Sequence, residues 1–313
     1  MTTPQTSAAR SRWWKLAWIV PAGLVILVLV VLAAQGIRDL PSVRSFMTDY
    51  PGTSELPVAS PVGLPVWLNW AHFLNSFLML FIIRTGWELR KKIRPAAFWT
   101  RRNDGIIHTK NPPIRIGVPL WFHLTVDSLW VLIGVAYFVL LFTTGQWVRV
   151  IPTSWDIIPN AISAGLQYAS LSWPMDNGWV NYNALQLLSY FATTFIAAPL
   201  ALATGIRLSP GLAATLRWMD RIVPLRITRT VHWVVMIYFV GFIIVHVTLV
   251  LATGALRNLN HMYASRDDVG WLGFAFFAVS VIVMIVGWFL ASPSLLQRAA
   301  RFSGTVRVEP PPR

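Results

Sequence analysis

Six times along the chain the polar positions thin out into long apolar runs, at roughly residues 16–34, 66–86, 119–144, 183–206, 230–254 and 271–291. A run of about 20 apolar residues spans the roughly 30 Å hydrocarbon layer as a helix, so each run predicts one crossing. Stretches such as LVILVLVVLAA lack the period-two alternation of a membrane β-barrel. The pattern predicts an all-α polytopic membrane protein of six crossings. A cytoplasmic segment, an anchor helix and an outer loop occupy 1–65, four crossings occupy 66–254, and an outer loop, a last crossing and a tail occupy 255–313.

Composition agrees, since 55% of the 313 residues are hydrophobic and only 12% are charged, against roughly a quarter in soluble domains. Charge sets the topology. Basic residues of short loops stay on the cytoplasmic side, and alternate loops hold twenty lysines and arginines against five in the others. The rich set is Arg10, Arg12 and Lys15; Arg90, Lys91, Lys92, Arg94, Arg101, Arg102, Lys110 and Arg115; Arg207, Arg217, Arg221, Arg226 and Arg229; and Arg298, Arg301, Arg307 and Arg313. The poor set is Arg38, Arg44, Arg149, Arg257 and Arg266. Both termini are expected in the cytoplasm, with the chain in the cell membrane. The net charge of +14 then reads as a topology signal, not as a nucleic-acid surface. The first run, at about nineteen residues, is long for a signal peptide and reads as an uncleaved anchor. Trp67, Trp147, Trp155, Trp173, Trp179 and Trp271 are expected in the outer interfacial belt.

The chain has no cysteine, which excludes disulfides, thiolate iron–sulfur clusters and covalently attached c-type haem. Of six histidines, four fall in apolar runs: His72, His123, His232 and His246. Fourteen residues separate His232 from His246, about 40° short of four full turns, so both imidazoles share one helix face roughly 21 Å apart along the axis. With the topology above, His72 and His246 lie at the outer level and His123 and His232 at the inner one. Two imidazoles at each of two heights suit two bis-histidine b-type haems, a ligation that fills both axial positions and leaves electron transfer as the chemistry. Gly134 and Gly241 fall between the two levels. Zinc would need further ligands at each level, and only Asp127, one turn after His123, offers one. Asp127 is a candidate proton carrier or a neutral structural carboxyl. Arg84 is expected to snorkel to the interface, with propionate pairing as its other role. His108 and His261 read as exposed loop residues.

The segments NWAHFLNSFLMLFIIRTG (69–86) and WFHLTVDSLW (121–130), with the paired histidines of the fifth run, resemble the cytochrome b subunits of formate dehydrogenases, nickel–iron hydrogenases and thiosulfate reductases, the bacterial cytochrome b561-like proteins. The resemblance covers about 66–254. It implies a four-helix, di-haem anchor in which His72 and His246 bind one haem and His123 and His232 the other. It further implies electron exchange between the quinone pool and a catalytic subunit of molybdenum-enzyme or hydrogenase type. The chain departs from that pattern in its extra first and last helices. The inner arginines and the outer Asp156, Asp176, Asp267 and Asp268 are alternative docking charges. Two other readings stay open: a haem-free transporter coupling protons through histidine and Asp127, and a self-contained transmembrane b561-type reductase. A transporter is expected to show inverted repeats or broken helices, and neither is visible in the sequence.

Overall fold

The computed structural model describes residues 7–91, 93–104, 108, 112–174, 177–211 and 217–309. Lys92, Lys110, Asp176 and Arg313 lie outside the described residues. Six helices long and apolar enough to cross a bilayer run over Ala17–Asp39, Val66–Arg90, Val118–Thr143, Ala184–Leu208, Leu225–Ala252 and Leu272–Leu290. The chain is an all-α polytopic membrane protein.

Helix α1 (Ser7–Asp39) leads into the short α2 (Pro41–Asp49), and α3 (Val66–Arg90) is the second crossing. Strands β1 (Ala97–Arg101) and β2 (Arg115–Gly117) follow, then α4 (Val118–Thr143) and the outer helix α5 (Ile157–Ala169). The fourth crossing is composite. It consists of α6 (Ala184–Phe191), a π-helical turn over Ala192–Ala197, and α7 (Ala198–Leu208). Pro199 sits in the first turn of α7, where it lacks an N–H and crowds the carbonyl four residues back, which widens the preceding turn. This crossing is thus continuous but carries an internal π turn that its apolar run conceals. The fifth crossing is α8 (Leu225–Ala252), followed by α9 (Ala255–Leu259), a second π turn (Asn260–Ala264) and the sixth crossing α10 (Leu272–Leu290). Helix α11 (Pro293–Ser303) and strand β3 (Gly304–Val308) close the described chain.

Helices α3 and α4 pack as one antiparallel pair, tied by Trp130 donating to Asn75 at 2.7 Å, and α7 packs on α8 as the other. Apolar layers join the pairs. Leu78, Phe81, Val126 and Ala291 bury one cluster, and Met79, Ala197, Val235 and Phe239 another. Outward-facing Leu, Ile and Val along every crossing stay exposed, as lipid requires.

Strand β1 pairs antiparallel with both β2 and β3, giving the order β2-β1-β3. The sheet joins the segment after α3 to the segment after α10. Four crossings lie between, so an even parity puts both on one side, as the basic-loop pattern requires. The opposite side is an interlocked cap. Gly63 donates to the Trp179 carbonyl at 2.8 Å, Ala184 to that of Gly52 at 2.8 Å, and Gly52 to Asn160 Oδ1 at 2.9 Å. Gly63 has φ +88°, and a β-carbon there would strike the Trp179 ring at 2.6 Å. Helix α1 stands apart. Its apolar length is exposed, and near its C-terminal end Gln35 and Arg38 donate to Ser170 of the cap.

Candidate functional site

Of the two predicted couples, His72 and His246 come into ring contact, whereas His123 and His232 lie on different helices without touching. His72 on α3 and His246 on α8 face each other with ring centroids 6.3 Å apart and planes at 55°. They neither stack nor hydrogen-bond, and among the described residues the buried His72 Nδ1 has no partner. An imidazole nitrogen sits about 2.0 Å from a first-row metal, and the ring centre lies about 1.1 Å behind it. Two imidazoles on opposite sides of one metal therefore have centroids roughly 6 Å apart, the separation seen here. Aromatic rings enclose the couple. Phe242 stacks on His246 at 5.5 Å, Tyr190 meets His246 edge-on at 6.0 Å, and Tyr263 meets His72 at 5.8 Å.

The inner couple is built by a repeated device. The Oγ1 of Thr85 on α3 lies 2.6 Å from the Phe81 carbonyl and 2.6 Å from His123 Nδ1. The Oγ1 of Thr204 on α7 lies 2.6 Å from the Leu200 carbonyl and 2.8 Å from His232 Nδ1. A carbonyl only accepts, so each hydroxyl gives its single proton to the helix backbone and takes a hydrogen bond from Nδ1–H. That selects the tautomer whose Nε2 lone pair is free. A glycine follows each threonine. A β-carbon on Gly86 would lie 3.7 Å from His123 Cε1, and one on Gly205 3.6 Å from His232 Cε1. His123 and His232 lie within electrostatic range of each other but make no direct ring contact. Asp127 Oδ2 stands 3.4 Å from His123 Nε2, so the carboxylate borders the nitrogen a metal would take.

The Met79, Val235 and Phe239 layer lies between the two levels on α3 and α8. A β-carbon on Gly134 or Gly241 would meet nothing within 4 Å. Among the described residues no group of three or more His, Asp or Glu converges to hold a metal, which leaves two-ligand couples as the arrangement present.

Other predicted residues fall elsewhere. Arg84 does not merely snorkel. It donates to the carbonyls of Trp288 at 2.8 Å and Ala291 at 3.0 Å and lies over the Trp288 ring, capping the C-terminal end of α10. His108 is exposed as expected. His261 is not an exposed loop residue: it is 4% exposed, packs on Trp179 at 5.4 Å and holds Asp267 through Nε2 at 2.8 Å. Burial pushes its pKa down, and the Asp267 bond opposes that. Arg257 and then His261 hold the Asp267 carboxyl well below the usual carboxylate range. Trp155 and Trp271 are exposed at the outer edge, whereas Trp173 and Trp179 bond or pack within the cap.

Sequence reasoning missed Thr85, Gly86, Thr204 and Gly205. The dipeptide Thr-Gly ends the second and fourth crossings, but it ends the third and fifth as well (Thr144-Gly145, Thr253-Gly254), so the sequence alone does not single these residues out. Comparison with family models, curated proteins and solved structures returns no match to this chain.

Proposed function

We propose that the chain is a di-haem b-type cytochrome subunit, holding one haem between His72 and His246 and a second between His123 and His232. In this reading it relays electrons across the bilayer between the quinone pool and a partner oxidoreductase subunit, from a cell membrane with both termini cytoplasmic. Membership of the cytochrome b subunit family belongs to the same proposal. The observation that carries it is the His72–His246 couple, with ring centroids 6.3 Å apart, neither stacked nor hydrogen-bonded to each other.

Haem held between these histidines would supply one-electron transfer. The chain's residues do the rest. Thr85 and Thr204 orient the inner imidazoles and keep their Nε2 lone pairs available. The apolar helix faces exclude water, and the Met79–Phe239 layer separates the two levels. Asp127, beside His123 Nε2, must turn away when that nitrogen binds a metal. It is also the feature that favours the haem-free reading, because a half-buried His–Asp contact within the crossings is what proton-coupled transport would use.

A reduced-minus-oxidised spectrum with haem quantitation on the purified protein separates the readings. About two b haems per chain are expected, and none from haem-replete expression overturns the proposal. His246→Ala should remove one haem and retain the other; equal loss of both would contradict two separate sites.

A further inference from the structure

Arg149 is 2% exposed, yet among the described residues it has no carboxylate partner. Its Nη1 donates to the Gly63 carbonyl at 2.7 Å and its Nη2 to the Gly178 carbonyl at 2.6 Å, while Nε–H is buried and unbonded. The other buried arginine, Arg207, carries Asp220 as counter-ion. A buried guanidinium without an anion is costly, and neutral carbonyls do not cancel its charge. Arg149 lies over the Tyr182 ring at 5.0 Å, Tyr182 meets Tyr190 at 5.0 Å, and Tyr190 meets His246 at 6.0 Å. On the α3 side, Trp67 packs on Tyr137 at 6.1 Å and buries a second unbonded donor, Nε1–H. A buried cation whose Nε–H lacks an acceptor, set against the aromatic shell that leads to His246, is matched by an anionic oxygen ligand.

We propose that Arg149 is the carboxylate anchor of the outer cofactor, receiving a porphyrin propionate on its Nε–H edge. The inference rests on the di-haem reading. It adds a residue from an outer turn, far along the chain from every histidine, that fixes the orientation and electrostatics of one site only. A fixed positive charge there favours the reduced iron, so its removal lowers the midpoint potential of the outer haem and leaves the inner one in place.

The test uses the full-length protein in detergent, with haem stoichiometry, haem release rate and a potentiometric titration resolving the two haems. Arg149→Gln is expected to speed release of one haem about ten- to a hundredfold, the equivalent of a lost charge-assisted hydrogen bond, and to lower its potential alone. Arg149→Lys should keep most of the potential. Because Arg149 also ties two outer turns, the wild-type chain from haem-limited cells is loaded in parallel with haem dimethyl ester, which lacks propionate charge. The ester is expected to reproduce the faster release from the outer site with no change to the protein, while raising rather than lowering the potentials, because esterification removes negative charge near the iron. Asp176→Asn, at the acid nearest Gly178 in sequence, should leave both potentials unchanged. Two haems unaffected by Arg149→Gln, equal shifts at both, an ester that behaves like haem, or an Asp176→Asn effect as large as that of Arg149→Gln would each overturn the anchor alone. Absence of any bound haem would overturn the functional reading along with it.

Discussion

Replacing Thr85 by Val tests the inner site at one atom. The side chains are nearly isosteric and Thr85 is 2% exposed, so packing is preserved and only the hydroxyl is lost. Two interactions go with it. The Phe81 carbonyl keeps its backbone helix partner, so that loss is small; His123 Nδ1–H, 2.6 Å from the hydroxyl, is left without an acceptor in a buried position. An orphaned buried donor costs about 1–3 kcal/mol, and removal of such an orienting partner typically weakens metal binding by about 10- to 100-fold, or about 1.4–2.8 kcal/mol. Thr85→Val should therefore lower the affinity of the inner haem by one to two decades, measured by haem titration of protein from haem-limited cells, with the outer haem untouched. Thr204→Val, in matching geometry at 2.8 Å, should produce a similar loss. Unaltered binding in both variants, or loss spread equally over both haems, would refute the role given to the hydroxyls.

Asp127→Asn removes the carboxylate beside His123 Nε2 and should strengthen inner haem retention, because no anion then competes for that edge; weaker retention in release assays would mean the carboxylate helps hold the site. Acidification should loosen the outer cap. His261 has its pKa lowered by burial, so below its ordinary 6.5 the unfolded chain takes up a proton that the folded chain refuses, and stability falls as pH drops. Asp267, depressed by Arg257 and His261, adds a second loss below the ordinary 3.8 of a free Asp; limited proteolysis of the 255–271 segment should accelerate from pH 7 to pH 5, and a flat profile would contradict it. Arg84→Leu uncaps α10 by removing two bonds to carbonyls, each worth about 1.5–3 kcal/mol as charge-assisted bonds before solvent screening, and should lower the thermal midpoint in detergent. Gly273→Ala pushes a methyl into the backbone of Leu259 and Asn260 and should cost about 1–3 kcal/mol in the same assay.

The crossings were legible because lipid demands long unbroken apolar runs, and the approach of His72 to His246 followed from helical register and charge. What escaped was set by partners distant in sequence. His261 reads as polar loop because the residues that bury it, Trp179 and Asp267, come from another loop and from a turn six residues on. Strand β1, AFWTR, is too short and arginine-flanked to announce itself, and its larger partner β3 lies about 200 residues later. The π turn at Ala192–Ala197 is apolar throughout, so only Pro199 marks it. Thr85 and Thr204 were passed over because a hydroxyl inside a crossing normally satisfies itself on its own helix; here that bond is made and the oxygen retains a second use.

The β2-β1-β3 sheet abuts the start of α4, where Trp99 approaches Trp121, two residues before His123. Its central strand acquires its second neighbour only when β3 leaves the ribosome, and at about 5–20 residues per second that is roughly 10–40 s after β1 itself. Through that interval the floor beneath His123 stays unfinished while all later crossings are being inserted. Maturation at that end is thus a late event in the life of each molecule, gated by translation of a strand about 200 residues downstream of its partner.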